Sequence, residues 1–249
     1  FYIQEARNNG IEILPPDVQF SYNDFTIEQK AIRFGLEAIR NVGCQLVDDI
    51  VRERNKSLFK SFFDFILRID SKVINKRTLE SLIKAGAFQS LCNRAQAMKV
   101  LDQALELAQN RQKDNEIGQI SLFDLDQGLD EDLDMPEIAE FEENEILKME
   151  KEYIGVYLTA HPLSYVNELL RRVTTSEIAS CLESEEERKV ILGGIINSFR
   201  QTITKKGDLM ASFLLEDLSD SIEVLIFPRL FAETVNLAND QIVRVHGRY

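Results

Sequence analysis

The sequence has 249 residues and a net charge of −13, from 29 basic and 42 acidic side chains. This length suits one large domain or two small ones and excludes a small disulfide-stabilised scaffold. An evenly spread negative charge would argue against a nucleic-acid surface. The charge is concentrated, however: residues 114–152 hold 15 acidic and 2 basic residues, whereas residues 41–100 hold 11 basic and 6 acidic residues. A basic module therefore precedes an acidic segment, and nucleic acid is not excluded.

Cysteine usage and hydropathy indicate a cytoplasmic protein. Cys44, Cys92 and Cys181 are odd in number and far apart, which supports neither a disulfide framework nor a zinc site. No apolar run approaches roughly 18 residues and the first residues do not resemble a signal peptide, so no membrane partner is expected. The start at Phe1, without Met, and the stop at Tyr249 inside a predicted strand suggest a segment of a longer protein.

The first hundred residues are predicted to be mainly α-helical. A short helix ends near Gly10, and the prolines of IEILPPDV favour extended backbone. Thr26 and Gln29 form the pattern of a capping box, which predicts a helix from Thr26 with Ile32, Leu36 and Ile39 on one face. Further helices are predicted around Leu46–Val51 and over Phe59–Ile69, Lys76–Ala85 and Arg94–Lys113.

An acidic stretch starts at Asp114 and is typical of a flexible tether. Helical spacing resumes at about Asn144 and stops at Pro162, where His161 is expected to end a helix, and another helix is predicted over Tyr165–Val173. From Lys189 the pattern has the period of two and the β-branched residues of strands. A strand meander followed by a helix and another strand matches the early part of a five-stranded OB barrel, of which the fifth strand is missing here.

Two turns are candidates for contact with duplex DNA. Arg40-Asn41-Val42-Gly43 resembles a helix-hairpin-helix turn, which presents backbone N–H groups and a helix N-terminus to a phosphate. Asn41 stands where the usual Gly-apolar-Gly pattern has its first Gly, although Asn tolerates a left-handed backbone better than most residues. An ordinary connection between helices explains this turn equally well. Gly86, in Ala85-Gly86-Ala87-Phe88, marks a weaker second candidate.

The peptide at the start of the acidic segment is a candidate for binding a sliding clamp. Apolar side chains in acidic surroundings have no evident core to enter, which favours an outside partner. A Gln followed after two residues by Leu-Phe has the form of a clamp-binding peptide. The residues concerned are Gln119, Ile120, Ser121, Leu122 and Phe123.

The sequence predicts no catalytic or metal site. Asp130, Asp132 and Asp134 begin like a calcium loop, but Met135 and Phe141 stand where that loop requires Gly and Glu. The two histidines lack a catalytic constellation, and no phosphate-binding Gly loop, GxSxG or HExxH is present.

The predicted barrel carries candidates for contact with single-stranded DNA: basic side chains beside aromatic ones. An alternative interpretation places the Phe residues in the barrel core, with the lysines solvating a turn. The candidates are Arg200, Lys205, Lys206 and Phe213.

The order of these motifs resembles the catalytic alpha subunit of bacterial DNA polymerase III. The resemblance covers nearly the whole chain and rests on GIEILPPDV, IRFGLEAIRNVG, INKRTLESLIKAGAF, GQISLF, EKEYIGVYLTAHPL and the predicted OB strands. It implies a multi-domain α + β fold: a mainly helical clamp-binding domain with helix-hairpin-helix elements, then an incomplete OB barrel. The implied division is end of fingers 1–25, helix-hairpin-helix domain 26–113, acidic linker 114–143, helical connector 144–187 and OB domain 188–249.

The resemblance also implies partners and roles. These are primed duplex DNA at the hairpin around Val42 and Gly43, the sliding clamp (beta subunit) at Gln119, Leu122 and Phe123, single-stranded template near the OB domain, and the other polymerase III holoenzyme subunits. The parent chain would be a DNA-directed DNA polymerase, a nucleotidyltransferase. Its magnesium would lie in the palm upstream, so no catalytic residue and no cofactor is expected in this segment.

Two other functions remain open from the residues alone. One is a DNA-repair factor that combines helix-hairpin-helix and OB modules. The other is an interaction scaffold that makes no DNA contact.

Overall fold

The first described elements are three short strands. The computed structural model describes residue 6 and residues 9–70, 72–117, 135–184, 188–233 and 236–249, with the backbone alone for 110–117. Strands β1 (Glu12–Leu14), β2 (Thr26–Glu28) and β3 (Ala31–Arg33) form a mixed sheet in the order β1-β3-β2. Strand β3 runs parallel to β1 and antiparallel to β2.

The helix predicted from Thr26 is wrong. Thr26 lies in β2, and Gln29 adopts a positive φ of 56° in the tight turn before β3. Ile32 pairs with both Ile13 and Ile27, so the backbone hydrogen bonds that a helix would make locally go to neighbouring strands instead. A short 3₁₀ turn, Leu36–Ala38, stands in place of the predicted helix. The apolar spacing of Ile32, Leu36 and Ile39 therefore does not mark a helix. Leu36 and Ile39 are buried in the hydrophobic core without one.

Four helices then build the first hydrophobic core, at the positions predicted. They are α1 (Cys44–Lys56), α2 (Phe62–Arg68), α3 (Lys76–Lys84) and α4 (Arg94–Ile117). Ser61 and Asn75 cap α2 and α3 by accepting hydrogen bonds from Asp64 N and Thr78 N, which satisfies amide groups that a helix leaves unpaired at its start.

Aromatic side chains occupy the centre of this core. Phe62 and Phe65 lie 5.0 and 4.8 Å from Phe88, measured between ring centroids, in edge-to-face contact. All three rings are buried. Phe88 lies two residues after Gly86, in the segment that connects α3 to α4. The aromatic cluster therefore packs this connecting segment against α2.

Helix α5 (Glu143–Tyr153) ends nine residues earlier than the predicted stop at Pro162. The buried carboxylate of Glu150 accepts hydrogen bonds from Leu158 N (2.7 Å) and Thr159 N (3.0 Å). Because those amide groups donate to the Glu150 side chain, they do not make helical hydrogen bonds, and the loop that carries them folds back on α5. Gly155, with a φ of 86°, makes the reversal, a backbone conformation that glycine adopts without strain.

The second part of the chain begins with short helical segments. They are a 3₁₀ turn (Pro162–Tyr165), α6 (Asn167–Val173) and α7 (Ile178–Leu182). His161 does not end a helix as predicted. It begins the 3₁₀ turn, and its Nδ1 accepts a hydrogen bond from Leu163 N at 3.2 Å.

A four-stranded antiparallel sheet follows, with the order β6-β5-β4-β7. The first half of β4 pairs with β7 and the second half pairs with β5, with a bulge between Asn197 and Arg200. One long bent strand shared by two partners gives the sheet the curvature of a half-barrel. The bounds are β4 (Lys189–Ile203), β5 (Leu209–Glu216), β6 (Ser221–Ile226), a short helix α8 (Pro228–Phe231) and β7 (Ile242–Arg248).

The α + β fold class is confirmed. The chain forms two compact units, Phe1–Thr159 and Ala160–Tyr249, each with its own hydrophobic core. The finer division into five domains stays a prediction. Across the described ranges, no helix combines the length and apolar character needed to cross a membrane.

Candidate nucleic-acid interface

The first candidate hairpin lies between the 3₁₀ turn and α1, and it is exposed. Ile39 and Val42 are buried and anchor the turn in the core, whereas Arg40, Asn41 and Gly43 face solvent. Asn41 has a φ of 65°, the left-handed conformation that the hairpin pattern requires at this position. The departure from Gly is therefore accommodated by the backbone.

The start of α1 carries no side-chain cap. Gly43 is the N-cap residue, has no side chain to accept a hydrogen bond, and is followed by a first turn without an acidic residue. Within the described residues, no acceptor pairs with the amide groups of Cys44 and Gln45. Unpaired N–H groups and the positive end of the helix dipole together favour an anion such as a phosphate.

Two distant elements hold this hairpin in place. The Arg40 amide donates to Tyr153 O at the end of α5 (2.8 Å), and Asn41 Nδ2 donates to Ser81 Oγ on α3 (3.0 Å). Ser81 Oγ in turn donates to Arg77 O at 2.9 Å. Sequence reasoning missed Ser81 and Tyr153, since neither has a local pattern that marks contact with residues 40 and 113 positions away.

Two arginines flank the exposed side of the hairpin. Arg40 and Arg77 line a shallow cavity of about 230 Å³ together with Glu80 and Glu152. In the part of the chain that the structure describes, neither guanidinium makes a hydrogen bond or an ion pair. Both are exposed, so they are available to an anionic partner without breaking an internal contact.

Substitutions of Asn41 test the hairpin conformation. Asn41→Gly is expected to leave stability within about 1 kcal/mol, since a relaxed left-handed backbone offsets the lost bond to Ser81. Asn41→Val is expected to lose about 1–3 kcal/mol, because a β-branched residue is strained at positive φ. Urea unfolding of both variants measures the difference. Equal loss in the two variants would contradict the conformation described.

The second candidate hairpin is closed by its own chain. Gly86 is buried with a φ of 79°, and a Cβ at this position would clash with Nη2 of Arg94. Arg94 donates to Lys84 O (3.2 Å) and forms ion pairs with Glu140 (3.3 Å) and the buried Glu150 (3.7 Å). The contact of Gly86 with DNA stays a prediction. In the structure, Gly86 contacts the guanidinium of Arg94, which is paired with Glu140 and Glu150.

The loop of the two prolines packs against the second hairpin. Val18 N donates to Ala87 O at 2.8 Å, and the Asp17 carboxylate accepts from Ser90 N (3.2 Å) and Ser90 Oγ (2.9 Å). Burial raises the pKa of Asp17 above its usual value, although these hydrogen bonds oppose the rise. These hydrogen bonds join the proline loop to the turn at Gly86.

The Cys92 thiol is not placed to react, and the described residues contain no cluster placed to hold a metal ion. Burial, assisted by the charge of Glu140, raises the pKa of Cys92 to about 12, which keeps its thiol protonated near neutral pH. No group of three or more His, Cys, Asp or Glu side chains in the described ranges is placed to hold a metal ion.

In the half-barrel, the structure separates the predicted single-strand residues. Arg200, Lys205 and Lys206 are exposed at the bulge of β4 and in the turn before β5. Phe213 is only 3% exposed and belongs to the hydrophobic core, so the expectation that its ring contacts DNA is corrected. The alternation of buried Ala211, Phe213 and Leu215 along β5 is the signal that places Phe213 inside.

The predicted clamp peptide, Gln119 to Phe123, lies outside the described residues, as do Asp130, Asp132 and Asp134. The last turn described before it is the end of α4 at Ile117. The chain becomes described again at Met135. Clamp binding by these residues stays a prediction.

Comparison with known proteins explains the hairpins. A family model described as a helix-hairpin-helix motif matches residues 10–97. This range includes both candidate turns and helices α1 to α3, so this part of the first unit is similar to a helix-hairpin-helix motif.

Relatives extend the match over the whole chain. The protein named DNA polymerase III subunit alpha in Saccharopolyspora erythraea is 36% identical over 99% of this chain, and the one in Borreliella burgdorferi is 32% identical over 100%. The protein of that name in Bacillus subtilis is 35% identical over 93% of the chain. The chain spans about a fifth of these relatives, 22%, 22% and 20% of their lengths in the same order. The chain is therefore homologous, over its whole length, to a segment of the alpha subunit of bacterial DNA polymerase III.

Proposed function

We propose that this chain is the part of a replicative polymerase alpha subunit that holds primed DNA and tethers the subunit to a sliding clamp. The observation that carries the proposal is the exposed turn Arg40–Gly43, which leads directly into the uncapped start of α1. A helix-hairpin-helix turn of this kind binds the phosphate backbone without reading base sequence. The DNA partner is therefore primed duplex DNA of any sequence.

The hairpin's charge supports this assignment. Arg40 and Arg77 are the cations of the cavity at Asn41, which Glu80 and Glu152 also line. The unpaired amide groups of Cys44 and Gln45 follow the same turn. The acidic total of the chain does not oppose contact, because residues 41–100 carry more basic than acidic side chains. Binding of this type is weak. Its strength falls steeply as the salt concentration rises, because the counterions that binding releases then enter a more concentrated solution and gain less entropy.

Neutralising the two arginines tests the duplex contact. The double substitution Arg40→Gln and Arg77→Gln is expected to lower affinity for a 20-base-pair duplex about tenfold near 0.1 M salt, and to reduce the salt slope by about 2. Fluorescence anisotropy over a salt series measures both quantities. The matched control is Lys56→Gln with Lys60→Gln, which removes the same charge at and beyond the opposite end of α1. Equal losses in both double variants would contradict a local hairpin site.

The clamp contact is assigned to Gln119, Leu122 and Phe123, with Ile120 and Ser121 between them. An extended peptide in a linker reaches a pocket on a partner without unfolding a domain. Linking a weak DNA contact to a ring around the same DNA makes rebinding intramolecular, at effective concentrations on the order of millimolar. Weak individual contacts then suffice for processive synthesis.

The half-barrel is assigned to the single-stranded template, with Arg200, Lys205 and Lys206 as candidate contacts. OB barrels commonly bind single strands through basic and aromatic surfaces. The parent subunit would act in the cytoplasm as a DNA-directed DNA polymerase with other holoenzyme subunits, and the magnesium for catalysis would bind in its palm domain. These roles are supported by the homology to the alpha subunit.

A further inference from the structure

The outer face of the β4–β7 ladder carries a row of basic side chains that no role described above uses. Along β7, Val243 and Val245 pack against the hydrophobic core. The alternate residues Arg244, His246 and Arg248 are exposed. Successive side chains of a strand point to opposite faces, so these three share the face of the sheet that lies away from the hydrophobic core. The side chains of Leu170 and Thr174 cover this face at Gly193, and the three β7 side chains themselves stay exposed.

The neighbouring strand extends this face. Lys189 lies directly opposite Arg248, Ile191 opposite His246, and Gly193 opposite Arg244. Directly opposed residues of an antiparallel pair share one face of the sheet. Like charges in that arrangement are destabilising, so the Lys189–Arg248 pair does not serve the stability of the fold.

Nothing in the described part of the half-barrel neutralises these cations. Lys189, Arg244 and Arg248 form no ion pair with any described carboxylate. A depression of about 540 Å³ on this face is lined without any acidic residue. The lining residues are Thr175, Lys189, Val190, Ile191, His246, Gly247 and Arg248.

We propose that this outer face of the β4–β7 ladder, with Lys189, Arg244 and Arg248 as its cations, is a binding surface for the backbone of single-stranded DNA. It is separate from the turn at Lys205 and Lys206, which lies at the other end of β4. The inference rests on the proposed placement of the half-barrel near the template and adds a second contact surface to it.

The chemistry of the face favours a flexible polyanion. Two cations four positions apart on one strand, with a third directly opposite one of them, match a partner with repeated negative charges, and nonspecific single-strand binders use such positive tracks. His246, exposed between two arginines, offers a ring on which a base can stack. A flexible single strand can follow a short row of this kind, whereas a stiff duplex would touch it at few phosphates.

The test compares two triple variants of the 249-residue chain with equal charge change. The face variant is Lys189→Gln, Arg244→Gln and Arg248→Gln, and the turn variant is Arg200→Gln, Lys205→Gln and Lys206→Gln. Anisotropy with oligo(dT) of 20 nucleotides and with a 20-base-pair duplex, each over a salt series, gives affinity and salt slope. For the face variant we expect at least a tenfold loss on oligo(dT) near 0.1 M salt and a slope smaller by about 2.

The outcomes separate this inference from the proposed function. Loss in the turn variant alone overturns the face and leaves the template role intact. No binding of oligo(dT) by the unaltered chain overturns both. A loss confined to the duplex assigns the face to another partner and overturns the single-strand inference. The melting temperature of the face variant should stay equal or rise, because opposed like charges are removed, and a fall would attribute any loss to misfolding.

Discussion

Replacing Leu122 and Phe123 by alanine is expected to lower the affinity of the chain for the sliding clamp at least 100-fold. Buried aromatic and aliphatic anchors of a bound peptide each contribute roughly 2 kcal/mol or more, and about 1.4 kcal/mol corresponds to a factor of ten. Both residues stand in the acidic part of the sequence, where no core is predicted to take them up. Isothermal titration calorimetry with the purified clamp measures the change.

A second double variant of the same segment is the matched control. Leu129→Ala with Leu133→Ala removes two apolar side chains from the same acidic surroundings and leaves the five-residue peptide intact. We expect the control to bind the clamp as the unaltered chain does. Far-ultraviolet circular dichroism should be the same for both variants. Unchanged clamp affinity in Leu122→Ala with Phe123→Ala would contradict the tethering role.

Phe88→Ala is expected to destabilise the helical unit by about 3–5 kcal/mol, the usual cost of emptying a buried aromatic site. The Phe88 ring is 2% exposed and contacts both Phe62 and Phe65 edge-to-face. Its loss removes the packing that joins the α3–α4 turn to α2. Differential scanning calorimetry measures the change, as does urea unfolding. Because the chain contains no Trp, the unfolding is followed by the near-ultraviolet absorbance of its Tyr residues.

An exposed phenylalanine in the same unit provides the comparison. Phe25 is 50% exposed and makes an edge-to-face contact with Phe34. Phe25→Ala is expected to cost at most about 1.5 kcal/mol. A loss for Phe88→Ala no larger than that for Phe25→Ala would contradict the central position of the aromatic cluster.

Local periodicity correctly predicted the helices and strands whose buried side chains recur at the spacing of the element itself. Leu46, Val47 and Ile50 recur at helical spacing and are buried in α1, and the alternating strands from Lys189 form the predicted meander. The segment around Ile32 was assigned wrongly for two reasons. One of its partner strands begins at Glu12, and the turn to the other, Gln29-Lys30, lacks the Gly or Asn that usually marks a tight hairpin. A pairing between segments that far apart leaves no trace in a window of a few residues.

The candidate site was predictable in part, for a similar reason. The sequence of Arg40–Gly43 locates the first hairpin, and its left-handed Asn41 agrees with the tolerance of Asn for that conformation. The closure of the second hairpin by Arg94, with Glu140 and Glu150 behind it, depends on side chains that meet only after α5 has folded back. The sequence pattern predicts a glycine turn there, but it does not predict that the guanidinium of Arg94 covers the turn.

The lifetime of the chain on primed DNA that carries a loaded sliding clamp is the most direct test of the tethering account. Single-molecule fluorescence of the labelled chain can compare this substrate with bare primed DNA and with the clamp alone. The account predicts a lifetime at least tenfold longer on clamp-loaded DNA than on either partner, because the hairpin and the peptide then bind one assembly together. A lifetime on clamp-loaded DNA equal to the longer of the two single-partner lifetimes would contradict it.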